Sequence, residues 1–208
     1  MKNYTRLIIA SNHEWVVPAG MEERRFVILD VSPARMKDTD YFAKLLAQMD
    51  KRGCAALLEH LLNVDLSKVN LRQIPKTAGL LDSKLLSLSP VERFWQACLW
   101  EGTNGDPTVG WAQEVRCASL HDFYSEHAAT RGQSRRAVQS DLGKALKSLV
   151  PGLGEVRHRT SGPGASQERY WIFPSLDECR AAFCVKIEHE IDWGAPVQPL
   201  VSKSRRGK

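Results

Sequence analysis

Residues 134 to 173 hold the pattern that most narrows what this chain can become. Behind Ser134, a residue type that caps helices, Val138, Leu142, Ala145, Leu146 and Leu149 recur at helical spacing, and Pro151-Gly152 stops the run. Two strand-like runs come next, Glu155 to Thr160 and Arg169 to Phe173, joined by Ser161-Gly162-Pro163-Gly164-Ala165-Ser166. Glycine and proline in that joint make it a turn rather than a continuation of either run. A lone two-stranded hairpin is marginal in water, so it must pack against the helix that precedes it.

The neighbouring segments supply the rest of such a unit. Ser89-Pro90 starts a helix, with Ser89 as cap and Pro90 in the first turn, and Val91, Phe94, Trp95, Cys98 and Leu99 form its apolar face. Gly102 to Gly110 reads as a loop, and Glu114 to Cys117 as a short strand. Ser119 caps a helix through His127 that carries Leu120, Phe123 and Tyr124, and Ser175 caps a last one through about Glu188. The order is helix, short strand, helix, helix, strand, turn, strand, helix, which is that of an α+β winged-helix domain. The helix behind Ser134 is then the recognition helix. Its exposed side carries Arg135, Arg136, Gln139 and Ser140, then Gly143, Lys144 and Lys147. The hairpin, as wing, presents Arg157, His158, Arg159 and Arg169. These residues are expected to contact DNA. The alternatives are a solvated amphipathic helix with an ordinary hairpin, or a winged helix that binds protein.

The first 31 residues read differently. Leu7 to Ala10 and Phe26 to Val31 are apolar runs of strand length, the first ending in Ser11-Asn12 and the second opening behind Arg24-Arg25. Between them lies a loop with Pro18 and Gly20. Two helices are expected next, one capped near Asp38 with Phe42, Leu45, Leu46 and Met49 on its stripe, and one after Gly53 with Leu57, Leu58, Leu61 and Leu62. Pro75 closes an irregular stretch, and a helix over Thr77 to Leu88 links it to the unit that starts at Ser89.

The set Asn12, a Pro-containing loop and Arg25-Phe26 resembles the end of the ATPase module of superfamily-three helicases, closest to phage and plasmid primase-helicases. The resemblance covers residues 4 to 31 well and the remainder weakly. It implies that Asn12 is a sensor for the terminal phosphate or the attacking water. It also implies that Arg25, or alternatively Arg24, is a finger reaching a neighbouring subunit's ATP. ATP and magnesium are the cofactors of the intact family. This chain contains no Gly-x-x-x-x-Gly-Lys-Ser/Thr and no strand ending in paired carboxylates ahead of Asn12, so no cofactor is expected to bind it alone. The expected fold is an α/β remnant of an AAA+ ATPase over residues 1–77, a linker helix and winged helix over 78–192, and a basic tail over 193–208. The chain reads as the C-terminal part of a larger helicase. Its expected partners are DNA and either a homo-oligomeric ring or an upstream helicase half. The alternative is a stand-alone DNA-binding regulator. Without resemblance, Asn12 is a strand-end cap and Arg24-Arg25 a solvated strand mouth.

Composition agrees with a globular chain, at 43% hydrophobic and 25% charged residues. The net charge is +5, and Lys203, Arg205, Arg206 and Lys208 in the tail account for all but one of those charges. Five cysteines without Cys-x-x-Cys spacing read as reduced thiols, and the histidines show no metal-binding spacing, so no structural metal is expected. No apolar run reaches the roughly 20 residues of a membrane span. A cytoplasmic location is expected. A hydrolase built on His13, Glu22, Glu23 or Cys117 lacks an orienting third group.

Overall fold

The computed structural model describes residues 7–13, 17–68, 70, 73–105, 108–130, 137–159 and 166–194. In chain order the helices and strands are α1 (Thr39–Gln48), α2 (Cys54–Leu62), α3 (Ala78–Leu86), α4 (Pro90–Glu101), β1 (Glu114–Arg116), α5 (Cys117–Thr130), α6 (Gln139–Leu149), β2 (Gly154–Arg159), β3 (Gln167–Ile172) and α7 (Leu176–Ile187). The fold is mixed, helices with one small open antiparallel sheet of order β1-β3-β2. The chain divides into two compact units. One joins the described residues up to Glu23 with those from Ser83 onward, and the other is Arg24–Asp82.

The first unit is built around aromatic side chains. Phe94 and Trp95 of α4, Tyr124 of α5 and Phe183 of α7 are fully buried, with Leu120, Leu142 and Leu146 filling between them. Trp95 stacks on Phe173 at 5.5 Å between ring centroids, and Phe94 meets Tyr124 edge-on at 5.3 Å. Such pairs add about 0.5–1.5 kcal/mol each beyond their burial. Helix ends are closed by sequence. Ser89 with Glu92 and Ser175 with Glu178 form capping boxes on α4 and α7. The Ser175 bonds hold the Glu178 carboxyl below its usual range. Gly102 ends α4 at φ 68°, in the left-handed region that glycine adopts without a Cβ penalty. Buried Lys84 donates from Nζ to Ile187 O at 2.8 Å, placing a cation at the negative end of α7. Asn104, also buried, clamps the loop before β1 by bonding Ala112 through both its amide atoms, at 2.7 and 2.9 Å.

The N-terminal expectation is corrected here. Leu7 to Ala10 is not a strand, and Asn12 stands at no strand tip; Ile8 is 95% exposed. Phe26 to Val31 is not a strand either. It is extended, with Phe26 and Ile28 half-buried and Leu29 and Val31 exposed. Strands need a ladder of paired amides, and among the described residues the three strands of the sheet pair only with one another. What pins the second run is Thr77 Oγ1, which donates to Ile28 O at 2.6 Å, beside Gly79, where a Cβ would lie 3.0 Å from Ile28 Cγ2. Pro18 to Glu23 belongs to the first unit, with Ala19 buried and its N–H donated to Ser87 Oγ at 3.1 Å.

In the second unit Asp38 caps α1 as expected, accepting from Tyr41 N. The two helices meet through Met49–Gly53, where Arg52 takes φ 78°. The expected apolar stripes are present but uncovered. Leu45, Leu46, Leu57, Leu58, Leu61 and Leu62 are all exposed. Among the described residues no helix is long and apolar enough to cross a membrane.

Candidate nucleic-acid interface

Helix α6 begins later than its sequence suggests. Val138 stands at the N-cap position and makes no side-chain cap bond, so the helix starts at Gln139 rather than behind Ser134. Ser134, Arg135 and Arg136 lie outside the described residues, as do Arg131 and the basic tail. Val138, expected inward, is exposed. What fixes the start of α6 is α5. Tyr124 OH accepts from Ala137 N at 3.1 Å, and His121 Nε2 donates to Ala137 O at 3.2 Å.

From there the apolar stripe seats the helix. Leu142, Leu146 and Leu149 are buried, which turns Gln139, Ser140, Lys144 and Lys147 away from the core. Gly143 was expected on that outward side, and the structure buries it instead. A Cβ there would lie 3.0 Å from Trp171 Cζ2, so glycine lets α6 approach the sheet. Lys147 Nζ sits 5.3 Å from the centre of the Trp171 ring.

The strand register decides which hairpin residues join them. Glu155 faces Trp171, Arg157 faces Arg169 and Arg159 faces Gln167, so these six share the sheet face that carries Trp171 to α6. Arg157 and Arg159 therefore share a face, as their spacing predicts. Arg157 and Arg169 stand directly opposite one another, a like-charge pairing that destabilises a sheet. The carboxylate beside them is Glu155, 3.9 Å from Arg169 Nη1 and 3.3 Å from Lys147 Nζ. Lys144 pairs with Asp141 along the helix at 3.4 Å.

The other face of the same sheet is arranged oppositely. Arg116 meets Glu168 at 2.5 Å, Tyr170 OH donates to Glu168 Oε2 at 3.1 Å, and His158 pairs with Glu114. The Glu168 bond holds the Tyr170 hydroxyl above its usual value. His158 thus lies on the face opposite Arg157 and Arg169, bonded to a carboxylate.

Between α6 and the hairpin lies a cleft of about 200 Å³, with Trp171, Cys117 and Gly143 at its floor and Gln139, Ser140, Lys147, Glu155 and Arg169 around it. Burial pushes the Cys117 thiol up, against the pull of Arg169. Sequence reading missed Glu155, Trp171 and Cys117 as parts of one surface. Period-two alternation through Glu155 and Arg157 was the signal for Glu155, but the partner of each position needed the register.

The other sequence candidates lie elsewhere. Asn12 is exposed in a bend of the first unit, while Arg24 and Arg25 are exposed at the start of the second. Among the described residues no cluster of three potential metal ligands occurs. Comparison with protein-family models, with curated proteins and with solved structures finds no match.

Proposed function

We propose that the unit from Ser89 onward is a winged-helix domain that binds duplex DNA. Its elements run α4-β1-α5-α6-β2-β3 in that fold's order, with α6 as the helix that enters the major groove and the β2–β3 hairpin as the wing. The observation that carries the reading is Arg157 opposite Arg169 on the α6 side, set against the Arg116–Glu168 ion pair and the His158–Glu114 hydrogen bond on the sheet's other face. A pairing that costs stability is explained when an anion completes it, and a phosphate backbone supplies anions at that spacing. Gln139 and Ser140 in the first turn of α6 are the base-reading candidates; Lys144, Lys147, Arg157, Arg159 and Arg169 hold phosphates. Fluorescence anisotropy of the full chain with a labelled duplex, across a salt series, tests this. Replacing Arg157 and Arg169 together with alanine is expected to flatten the salt slope by about two, at roughly 0.9 per phosphate contact. Absent binding at low salt, or a slope unchanged by the replacement, sinks it.

The wider reading is that this DNA-binding unit serves a phage or plasmid replicative helicase, as the sequence resemblance implies. Partner subunits would supply the phosphate-binding loop and the magnesium site, and the location would be the cytoplasm. Asn12 would sense phosphate, and Arg25 or Arg24 would act as the finger. The observation in its favour is the exposed apolar face of α1 and α2, as expected of a module completed by other protein. In a reconstituted ring, Arg25→Ala is expected to lower ATP turnover by about 10³-fold. If Arg24→Ala alone does so, Arg24 is the finger. If neither does, the chain is a stand-alone DNA-binding protein.

A further inference from the structure

We propose that the cleft between α6 and the hairpin is a phosphoryl-binding site in which Glu155 stands in for the phosphate until a ligand displaces it. The proposal rests on the winged-helix reading for the source of that ligand, a backbone phosphate of DNA, but not for the chemistry of the site. The two carboxylate oxygens are divided between two cations: Oε2 lies 3.3 Å from Lys147 Nζ and Oε1 lies 3.9 Å from Arg169 Nη1. A backbone phosphodiester offers the same two groups a pair of anionic oxygens like those of the carboxylate, and, unlike Glu155, it is not tethered to β2 and can close on both cations at once. Both distances are longer than the roughly 2.7–2.9 Å of a charge-assisted bond at its best, so the carboxylate holds its partners loosely. Both cationic side chains are 54% exposed, and exposed ion pairs exchange at little cost.

The surroundings can take an anion. Trp171 gives the cleft an apolar floor, and its ring already draws Lys147 into place at 5.3 Å. Gly143 presses α6 against that floor. Ser140 and Gln139 line the same cleft, so a phosphate held by Lys147 and Arg169 would sit beside the two side chains proposed to read bases. At about 200 Å³ the cleft holds the volume of roughly seven waters, at about 30 Å³ each. A phosphoryl group fits within that volume. Glu155 is then a device that lowers affinity. It occupies Lys147 and Arg169 in the free protein, and every binding event must first release them.

The experiment uses the full chain with Glu155→Gln, which keeps the shape and removes the charge. Glu155→Asp, which keeps the charge, is the control for folding. Anisotropy with a labelled duplex is expected to show binding about 2–5-fold tighter for Glu155→Gln, the scale of one exposed ion pair removed. Glu155→Asp is expected to stay near the wild type. The gain is expected to vanish in a chain that also carries Lys147→Ala and Arg169→Ala. A gain that survives there means only general repulsion, and overturns the proposal. Inorganic phosphate, titrated without DNA, is expected to shift the Trp171 indole resonance saturably, at lower concentration in Glu155→Gln than in the wild type. If the duplex does not bind but phosphate does, the DNA reading falls and the phosphoryl site stands, with free phosphate compounds as its source. If the duplex binds with a steep salt slope and Glu155→Gln changes nothing, the DNA reading stands and this site falls.

Discussion

The two units of this chain use the same helical periodicity to opposite ends. In α4, α5 and α7 the apolar stripe is buried to the last atom at Phe94, Trp95, Leu120 and Phe183. In α1 and α2 stripes of the same kind face solvent, with Leu62 76% exposed. Periodicity tells which residues share a face. It says nothing of whether another element will cover that face, because cover is a long-range property. The first unit has it because α4, α5, α6 and α7 surround one another and the sheet closes the remaining side.

The cysteines put this contrast to its most severe trial. Cys54 opens α2 and is exposed, while Cys98 and Cys179 are buried. Burial pushes the thiols of both buried residues up, Cys179 to about 12 and Cys98 further. The thiolate is the reactive form, so neither buried thiol is reactive near pH 7. Timed labelling with a thiol reagent, read by mass spectrometry, is expected to modify Cys54 at once. Cys98 and Cys179 are expected to follow at least about 10³-fold more slowly, through global unfolding. Comparable rates would mean that the aromatic core opens freely, and the contrast between the units would be gone.

A smaller effect tests the same core directly. Phe94 touches both Phe123 and Tyr124, at 5.6 and 5.3 Å between centroids. Phe94→Ala is expected to cost about 3–5 kcal/mol in urea unfolding, from lost transfer energy and the cavity left behind. A cost under about 1 kcal/mol would mean loose packing there.

The contrast also marks what the sequence could show. From Ser89 on, the element order was legible because the punctuation is local: Ser89 and Ser175 cap, Gly102 stops a helix, and glycine and proline break β2 from β3. Boundaries failed where the deciding contact is distant. Helix α6 starts at Gln139 because Tyr124 and His121 hold Ala137, which no pattern around Ser134 encodes. Gly143 looked outward because a helical wheel has no sheet in it, and Trp171 reverses that reading. The runs at Leu7 and Phe26 have strand composition, but composition does not supply a neighbouring strand. Of the candidate surface, the arginines of β2 were legible from alternation. Their opposition to Arg169, and Glu155 between Lys147 and Arg169, came only with the register.

The mildest substitution is the most informative about the second unit. Leu61 lies on the α2 stripe and is 60% exposed, so replacing it removes little that folding has buried. Glutamine is nearly as good a helix former as leucine, so Leu61→Gln leaves the intrinsic preference of α2 almost unchanged. Its neighbour one turn back is Leu57, also exposed, and an i,i+4 apolar pair contributes only about 0.2–0.5 kcal/mol. The expected change in unfolding free energy is therefore within about 0.5 kcal/mol. Solubility is expected to rise, because an apolar patch open to solvent favours association. A loss of about 2 kcal/mol or more, the cost of truncating a buried leucine, would show that Leu61 is covered in solution. Repeating the unfolding at several protein concentrations identifies the cover. A loss that grows with concentration assigns it to a second copy of the chain, since dissociation then contributes to the transition. A loss independent of concentration assigns it to the chain itself, and the second unit would then be buried like the first.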